Sequence, residues 1–215
     1  AEVLAVELRP HAGAGTGTDL QTIAAVSPRV GIHHSGRDPG RPDQLVSPGM
    51  DDGIPAPFVG LRTEVKAAWI DDNGHFNAGY YFVVFDDSVT DFMNFVGLDR
   101  AHRERNRVTT FSVEGHITFE REMNLGDPIE IRSILLGWDA KKLHSINLMY
   151  HGTEGWLAAT NELLSMHISQ ETRRSAPMAQ EVQRRLAAIE QVHGELPIPP
   201  QVGRVIGVKS GRAGG

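Results

Sequence analysis

The chain has 215 residues, 40% of them hydrophobic, and a formal net charge of −6 at pH 7. A negative chain without a basic stripe argues against a nucleic-acid partner. Its longest strongly apolar run, residues 78–85, is far shorter than the roughly 20 residues that a membrane-spanning helix needs. The absence of cysteine excludes disulfides and cysteine-ligated metals, and the N-terminus has no signal-peptide pattern. We therefore expect a cytoplasmic protein that binds neither nucleic acid nor membrane.

The aromatic residues indicate where the folded domain lies. Every Phe, Trp and Tyr falls between Phe58 and Trp156. Residues 1–55 are poor in large apolar side chains and rich in Gly and Pro, which predicts a flexible or disordered segment. Met50 directly precedes the first strand-like run, so this segment is also compatible with a fusion remnant or a misassigned start. We expect the domain at 56–172, followed at 173–215 by an amphipathic helix and a Gly-rich tail.

The first predicted elements are a strand and a long helix. Residues 59–69 alternate apolar and polar side chains, as a half-buried strand does. Residues 78–98 have the spacing of a helix with one strongly apolar face, formed by Tyr81, Phe85, Val89, Phe92 and Val96. Tyr80, Val84, Met93 and Phe95 widen that face, so apolar residues surround most of the helix and predict that it is largely buried.

A polar turn separates these two elements. It reads Asp71-Asp72-Asn73-Gly74-His75-Phe76-Asn77. The helix that follows starts near Asn77 and Ala78, where unpaired backbone N–H groups and a partial positive charge suit a negative charge developing on a substrate oxygen. A purely structural alternative is equally open, in which Asp71, Asn73 and Asn77 only cap the helix and shape the turn.

The rest of the chain predicts a meander of strands. Residues 99–106 predict a charged loop, and strand-like runs follow at 108–120, 128–138, 142–152 and 156–169. The intervening turns at 124–127, 138–141 and 152–155 are short, so we expect consecutive strands to be antiparallel neighbours. Residues 176–193 predict an amphipathic helix that places Met178, Val182, Leu186 and Ile189 on one face. One curved antiparallel sheet wrapped around a single apolar helix satisfies this order, which is an α+β arrangement.

Two ionisable residues stand out in the second strand. Glu114 and His116 share one strand face with Thr118, because strand side chains alternate. We expect this face to meet a site cleft or a subunit boundary, and simple solvent exposure is the alternative. The ten histidines show no metal-ligand spacing, and the pair His33-His34 lies in the segment predicted to be disordered, so no metal site is expected.

These motifs carry a family resemblance over about residues 57–172. The pattern Asp71-x-x-Gly74-His75-x-Asn77 between a strand and a long apolar helix resembles the hotdog-fold acyl-CoA thioesterases of the 4-hydroxybenzoyl-CoA thioesterase type. The segments Trp69–Tyr81 and Val113–Glu122 are similar to the branch that includes betainyl-CoA thioesterases of carnitine breakdown. The resemblance implies an α+β hotdog fold, an acyl-CoA substrate such as betainyl-CoA, no cofactor, and a homodimer or homotetramer with active sites at subunit interfaces.

The resemblance also implies roles for the turn. Asp71 is the base or nucleophile, and the backbone N–H near Ala78 polarises the thioester carbonyl. Thioester hydrolysis needs an attacking oxygen and a stabilised oxyanion, because a thiolate leaves without strong acid assistance. Asp71 can orient water or attack directly, His75 can hold Asp71 or contact the substrate, and Asp72 fits a solvated cap. The predicted catalytic set is Asp71, Asn73, Gly74, His75, Asn77 and Ala78.

The substrate-binding candidates come partly from the helix and partly from the second strand. They are Tyr80, Tyr81, Glu114 and His116. Trp69, Tyr80, Tyr81 and Glu114 can surround a quaternary ammonium group, although Tyr and Trp are equally good core residues. For the CoA phosphates the candidates are cations near strand ends, namely Lys141, Lys142, Arg173 and Arg174.

Two other functions remain open from the sequence. Hydratases of the same fold resemble this turn through an Asp-x-Asn-Pro-x-His arrangement, whose Asp and His lie five residues apart. Here Asp71 and His75 are four apart and the proline is missing, which weakens that alternative. A non-catalytic acyl-CoA-binding accessory module would bind the ligand without turning it over.

Overall fold

The computed structural model describes residues 53–207. The segment predicted to be flexible, the pair His33-His34 and the end of the Gly-rich tail therefore lie wholly or almost wholly outside the described residues. The strands are β1 Phe58–Glu64, β2 Val108–Phe119, β3 Pro128–Trp138, β4 Lys142–His151 and β5 Leu157–Ser169. The helices are α1 Ala78–Phe95, α2 Arg100–Asn106 and α3 Gln180–His193, with a short 3₁₀ helix at Ala67–Trp69.

The five strands form one antiparallel sheet in the order β1-β3-β4-β5-β2. The α+β class and the hairpins β3–β4 and β4–β5 are confirmed. The expectation that β2 and β3 are neighbours is wrong, because β2 pairs with β5 and forms the far edge of the sheet. Within residues 53–207, no helix is both long enough and apolar enough to cross a membrane.

The connection 120–127 explains that strand order. It leaves β2 alongside β5, where the Glu120 and Arg121 N–H groups donate to the Ala158 carbonyl at 2.8 and 3.1 Å. It then buries Met123 completely and reaches β1, where the Val65 N–H donates to the Asp127 carbonyl at 3.0 Å. The connection 120–127 is short, yet with Met123 buried it crosses the end of the sheet to β1 instead of turning back along β2.

Helix α1 packs one face on the sheet. Its buried side chains include Tyr81, Val84, Phe85 and Phe92. On the opposite face Phe82 is 56% exposed and Val83 is 48% exposed, so the predicted burial on most sides does not hold for one protomer. The helix also ends at Phe95 rather than at residue 98, since Gly97 adopts φ +94°, a left-handed conformation that stops a helix.

Two further boundaries differ from the expected ones. Strand β1 ends at Glu64, and the predicted continuation to Trp69 is a 3₁₀ turn in which the Trp69 N–H donates to the Lys66 carbonyl at 2.9 Å. The segment predicted as a charged loop, 99–106, is instead helix α2. Asp99 caps it by accepting from the His102 N–H at 2.7 Å, and the buried His102 ring anchors the helix to the domain.

Helix α3 belongs to the same core as the end of α1. Val182, Leu186 and Ile189 pack in one cluster with Phe92 and Leu98, which confirms the predicted apolar face. Met178 is buried too, although α3 begins at Gln180 rather than at residue 176; the Met178 N–H donates to the Ala140 carbonyl at 2.7 Å, outside the helix.

Candidate functional site

The polar turn folds back on itself before α1 begins. Ile70 and Phe76 pair across it as an antiparallel bridge. The Asn77 N–H donates to the Trp69 carbonyl at 2.9 Å, so the start of the helix lies beside the residue that enters the turn. Gly74 has φ +83°, which a residue with a side chain adopts only with strain. The turn therefore holds Asp71 close to the helix N-terminus.

Asp71 shapes the turn with only one of its carboxylate oxygens. Its Oδ1 accepts from the Asn73 N–H at 2.9 Å and from the His75 N–H at 3.3 Å. Within residues 53–207, Oδ2 has no hydrogen-bond partner, and the side chain is half-buried. The turn-shaping alternative thus holds for one oxygen, and the other is available for chemistry.

The start of α1 leaves one backbone donor open. The Asn77 Oδ1 accepts from the Gly79 N–H at 2.8 Å, and the Asn77 carbonyl accepts from the Tyr80 N–H at 2.9 Å. In the described part of the chain the Ala78 N–H has no acceptor, and Ala78 is exposed. A Cβ on Gly79 would come within 3.2 Å of the Asn77 Oδ1, so glycine there gives the cap room. The open donor lies at the positive end of the helix.

The His75 ring contacts the connection 120–127, whereas only the backbone N–H of His75 reaches the Asp71 carboxylate. Its Nε2 lies 3.6 Å from the Glu122 Oε2, and the ring is about half-exposed. The Phe76 N–H donates to the Met123 carbonyl at 3.3 Å. Glu122 and Met123 therefore support the turn, a role that the sequence reasoning missed. The available signal was an apolar methionine within a run of charged and polar residues.

The aromatic residues around the turn form a stacked group. Trp69 stacks on Phe76 and Tyr80, with centroids 5.8 and 6.0 Å apart. The Lys66 ammonium lies 5.1 Å from the Trp69 ring centroid. Tyr81 is buried and stacks on Phe76 at 4.0 Å. Burial raises the pKa of the Tyr81 hydroxyl to about 12, although a hydrogen bond with the Met123 backbone lowers it.

This packing leaves Tyr80 as the aromatic substrate candidate of the turn. It is 36% exposed, whereas the Tyr81 ring belongs to the core. A cation, Lys66, already lies over Trp69, so that ring is poorly placed to receive a second positive charge. Glu114, which was predicted to surround a quaternary ammonium group together with these aromatic residues, lines a groove elsewhere on the protomer.

That groove, which we call the α1–β2 groove, encloses about 300 Å³ between the exposed face of α1 and strand β2. Its lining residues are Phe82, Asp86, Val89, Ser112, Val113, Glu114, Gly115, Asn161 and Leu163. The register of β2 against β5 shifts between Ser112 and Glu114, so a bulge lies at its centre. His116 is not among the lining residues of the described chain; it pairs with Glu162 on β5.

The predicted phosphate-binding cations gather at one end of the sheet. The His167 N–H donates to the Lys141 carbonyl at 2.8 Å, which joins the β3–β4 turn to the end of β5. The Arg173 guanidinium lies 5.8 Å from the Phe111 ring centroid, and the Gln170 N–H donates to the Arg107 carbonyl at 2.8 Å. We call this region the basic end; it consists of Arg103, Arg105, Arg107, Lys141, Lys142, Arg173 and Arg174. The sequence prediction left out Arg103 and Arg105, which lie in the segment 99–106 predicted as a loop, and Arg107, which directly follows it.

No group of three or more His, Asp or Glu side chains in residues 53–207 could hold a metal ion.

Comparison with known proteins agrees with this geometry. A family model described as the thioesterase-like superfamily matches residues 65–186. The chain is 37% identical over 147 residues to a betainyl-CoA thioesterase of Pseudomonas aeruginosa, covering 68% of this chain and 92% of that protein. It is 30% identical over 163 residues to an L-carnitine dehydrogenase/betainyl-CoA thioesterase of Rhizobium meliloti, covering 76% of this chain and 33% of that longer protein.

Solved structures share the fold. A Staphylococcus aureus protein in complex with CoA superposes with a TM-score of 0.67 at 29% identity, covering 72% of this chain and 98% of that one. A 1,4-dihydroxy-2-naphthoyl-CoA thioesterase from Synechocystis superposes with a TM-score of 0.54 at 15% identity, covering 60% of this chain and 95% of that one. The predicted hotdog fold is confirmed. The chain belongs to the thioesterase-like superfamily and is a hotdog-fold thioesterase.

Proposed function

We propose that this thioesterase hydrolyses acyl-CoA at the turn before α1, with Asp71 and the Ala78 N–H as its two reacting groups. The observation that carries the proposal is their complementary openness. Among residues 53–207 the Asp71 Oδ2 has no donor and the Ala78 N–H has no acceptor, while the N–H groups of Asn73, His75 and Gly79 around them are bonded. A thioester carbonyl placed between them meets an attacking oxygen on one side and an oxyanion donor on the other.

Thioester hydrolysis at this site needs only water, the Asp71 carboxylate and the Ala78 N–H. A water oxygen attacks the thioester carbon, and the carbonyl electron pair moves onto the oxygen beside the Ala78 N–H. Asp71 takes the proton of the attacking water. Collapse of the tetrahedral intermediate breaks the carbon–sulfur bond, and the CoA thiolate recovers the proton, which leaves the free acid and CoA. In the other route the Asp71 carboxylate attacks the carbon itself, and breakage of the carbon–sulfur bond expels the CoA thiolate and leaves an anhydride. Water then opens the anhydride, which releases the free acid and restores the Asp71 carboxylate, and the CoA thiolate takes up the proton of the water.

We also propose that two copies pair through β2. This strand is a sheet edge, and residues 111–115 at its centre are exposed. Phe111 and Val113 on the strand and Phe82 and Val83 on α1 are large apolar side chains open to solvent in one protomer. An exposed edge beside exposed apolar side chains is a surface that a second copy can cover.

Pairing of two β2 strands would bring the basic end to the reactive turn. A two-fold, antiparallel pairing sets the start of one β2 beside the end of the other. The end of β2 lies at the start of α1, since the Phe119 and Tyr81 rings are 5.2 Å apart. Arg107 and Arg173 of the partner subunit would then approach the turn that carries Asp71. We assign the CoA phosphates to these cations on that basis.

Betainyl-CoA is the first substrate to test, because the similar Pseudomonas aeruginosa and Rhizobium meliloti proteins carry that substrate in their names. The experiment is a panel of acyl-CoA thioesters with detection of the free thiol. Release of stoichiometric CoA with the free acid supports the proposal. A chain that binds acyl-CoA but releases no thiol from any member of the panel is an accessory module, and one that converts enoyl-CoA without thiol release is a hydratase.

The quaternary proposal has its own test. Sedimentation equilibrium at micromolar concentration should give a dimer or a tetramer, and Val113→Lys should shift that equilibrium towards the monomer by placing a charge at the centre of the edge. A fully active wild-type monomer would remove the assignment of the partner's cations to CoA.

A further inference from the structure

We propose that the α1–β2 groove binds a positively charged acyl headgroup of the trialkylammonium type, with Asp86, Glu114 and Asn161 as its specificity-determining residues. This inference rests on the proposed function and names the substrate class of the same site. Four features of the groove support it: its position along α1, its charge, an uncompensated buried oxygen, and its apolar walls.

The position follows from helical spacing. Ala78, Phe82, Asp86 and Val89 recur every three or four residues, so they lie on one face of α1. Phe82, the first lining residue, is one turn beyond Ala78, which is about 6 Å along the helix axis. An acyl group whose carbonyl oxygen meets the Ala78 N–H can therefore extend along this face into the groove.

The charge of the groove is uniformly negative. Asp86 and Glu114 are its ionisable lining residues, and neither Lys, Arg nor His lines it in the described chain. Helix α1 contains no basic residue at all. Within residues 53–207 neither carboxylate takes part in an ion pair of 4.0 Å or less. An anionic acyl group would be repelled here, and a cationic one attracted.

The buried oxygen is the independent sign of a ligand. Asn161 is only 5% exposed, and its Oδ1 has no hydrogen-bond partner among the described residues. Its neighbours are satisfied: the Asn147 Nδ2 donates to the Asn161 backbone carbonyl at 3.3 Å, and the Ser133 hydroxyl donates to the Asn147 Oδ1 at 2.7 Å. A buried carbonyl oxygen without a donor is destabilising, and a cation beside it compensates that loss.

The walls suit a headgroup that has methyls instead of N–H donors. Phe82 supplies an aromatic ring, and Val89, Val113 and Leu163 supply aliphatic surface. Phe82 and Val113 also belong to the surface proposed above for pairing, so in the paired protein a second copy would close the open side of the groove over the headgroup. A quaternary ammonium donates no strong hydrogen bond, so it is recognised by charge and by aromatic faces. A Cβ at Gly115 would lie 3.7 Å from the Asn161 Oδ1, so the glycine leaves that oxygen uncovered.

The test separates charge from shape. Two pairs of acyl-CoA isosteres differ only in whether a nitrogen cation or a neutral carbon bears the three methyls. One pair is betainyl-CoA and 3,3-dimethylbutyryl-CoA, and the other is 4-(trimethylammonio)butyryl-CoA and 5,5-dimethylhexanoyl-CoA. The quantity measured is the ratio of kcat/KM for the cationic member to that for the neutral member. We expect a ratio of at least about tenfold for one pair, the scale of a partly desolvated cation–π contact plus one charge pair.

Variants then assign the ratio to the groove. Asp86→Asn and Glu114→Gln should each lower it about three- to tenfold, and the double variant should bring it close to unity. Asn161→Leu should lower it as well. Asp87→Asn is the matched control, since it removes the same charge from the next residue of α1, which does not line the groove. That variant should keep the wild-type ratio.

The outcomes distinguish this inference from the proposed function. If the wild-type enzyme hydrolyses both members of each pair equally, or the neutral member faster, the cation site is wrong while the thioesterase assignment stands. If Asp87→Asn lowers the ratio as much as Asp86→Asn, the preference comes from the overall charge of the helix and the groove assignment is wrong. If no acyl-CoA releases thiol, the proposed function itself fails.

Discussion

The turn before α1 and the contact of the end of α3 with the sheet, which we call the α3 dock, differ in how their polar side chains are bonded. In the turn, Asp71 bonds backbone groups two and four residues away and keeps its Oδ2 open. At the end of α3, the His193 Nδ1 accepts from the Leu135 N–H at 2.9 Å, and its Nε2 donates to the Pro55 carbonyl at 2.9 Å. His193 is 2% exposed and both of its ring nitrogens are bonded.

The difference distinguishes the site that we propose for catalysis from a purely structural hydrogen-bonded contact. A side chain that is held by local bonds and retains one open atom can act on a ligand without loss of its own position. A side chain whose every polar atom is bonded to distant backbone stabilises the tertiary structure and has nothing left for a substrate. The comparison therefore predicts loss of activity without loss of stability in the first region, and the reverse in the second.

The largest expected effect is on activity. Asp71→Asn keeps an Oδ1 that can accept from the Asn73 and His75 N–H groups, and it replaces the open oxygen with an amide NH₂. We expect kcat for the best acyl-CoA to fall at least ~100-fold while the thermal midpoint stays close to wild type. Turnover, substrate affinity and thermal unfolding measured on one preparation test this.

Asp72→Asn is the matched control for that variant, because Asp72 is exposed in the same turn. It should keep wild-type turnover. An Asp71→Asn enzyme with the wild-type rate, or one whose activity falls only as it unfolds, would return Asp71 to the role of a turn-shaping residue.

The next effect is on stability. His193→Leu removes the acceptor of the buried Leu135 N–H and the donor to the Pro55 carbonyl. We expect the free energy of unfolding to fall by about 1–3 kcal/mol, since the buried Leu135 N–H loses its acceptor, whereas the carbonyl of the exposed Pro55 can bond water instead. kcat per folded molecule should not change. Urea denaturation followed by assays below the transition measures both quantities.

His193→Gln sharpens this result. An amide has one acceptor and two donor hydrogens, so it can make both bonds with imperfect geometry and should lose less stability than the leucine variant. Equal losses in the two variants would mean that the packing of the ring, rather than its hydrogen bonds, stabilises the α3 dock.

A smaller effect is expected at the N-terminal cap of α1, where one side chain contributes both to stability and to the position of the proposed site. Asn77→Ala removes the acceptor of the Gly79 N–H and should cost about 1 kcal/mol of stability. It should also lower kcat, because the cap orients the start of the helix that carries the Ala78 N–H. Asn77→Ser keeps a capping oxygen and should recover both quantities; recovery of stability alone would place the Asn77 amide itself in the reaction.

The last prediction concerns pH and the histidines. Burial lowers the pKa of His193 from its ordinary value of 6.5, although the bond to the Pro55 carbonyl raises it. Burial likewise lowers the pKa of His167, opposed by its bond to the Ala176 carbonyl. The unfolded chain takes up these protons first as pH falls below about 6.5, the ordinary histidine pKa, so this part of the stability is complete above that pH and is lost towards the lowered folded pKa.

Thermal midpoints at pH 7.5, 6.5 and 5.5 measure that loss. The wild-type midpoint should fall across the series, and His193→Gln should fall less because it removes one of the two titrating rings. If the two proteins have the same pH dependence, His193 takes up its proton as easily in the folded state as in the unfolded one.

Much of the architecture could be predicted from the sequence because it depends on local periodicity. The apolar repeat after Asn77 predicts α1, and the alternation after residue 128 predicts the two hairpins, since neighbouring residues determine both patterns. The capping residue Asn77 and the obligate glycine at 74 are likewise local signals. The hotdog resemblance rests on the same short motifs.

Which strands pair and which polar atoms stay open depends on contacts between residues that are far apart in the chain. The partner of β2 depends on Met123, whose burial at the start of α1 no local pattern shows. The cap residue Asp99 is a local signal for helix α2, but a helix this short is stable only because the His102 side chain is buried in the domain. Whether the Asp71 Oδ2, the Ala78 N–H or the Asn161 Oδ1 has a partner depends on groups far away in the chain. A sequence specifies donors and acceptors, and folding alone determines which of them remain unpaired.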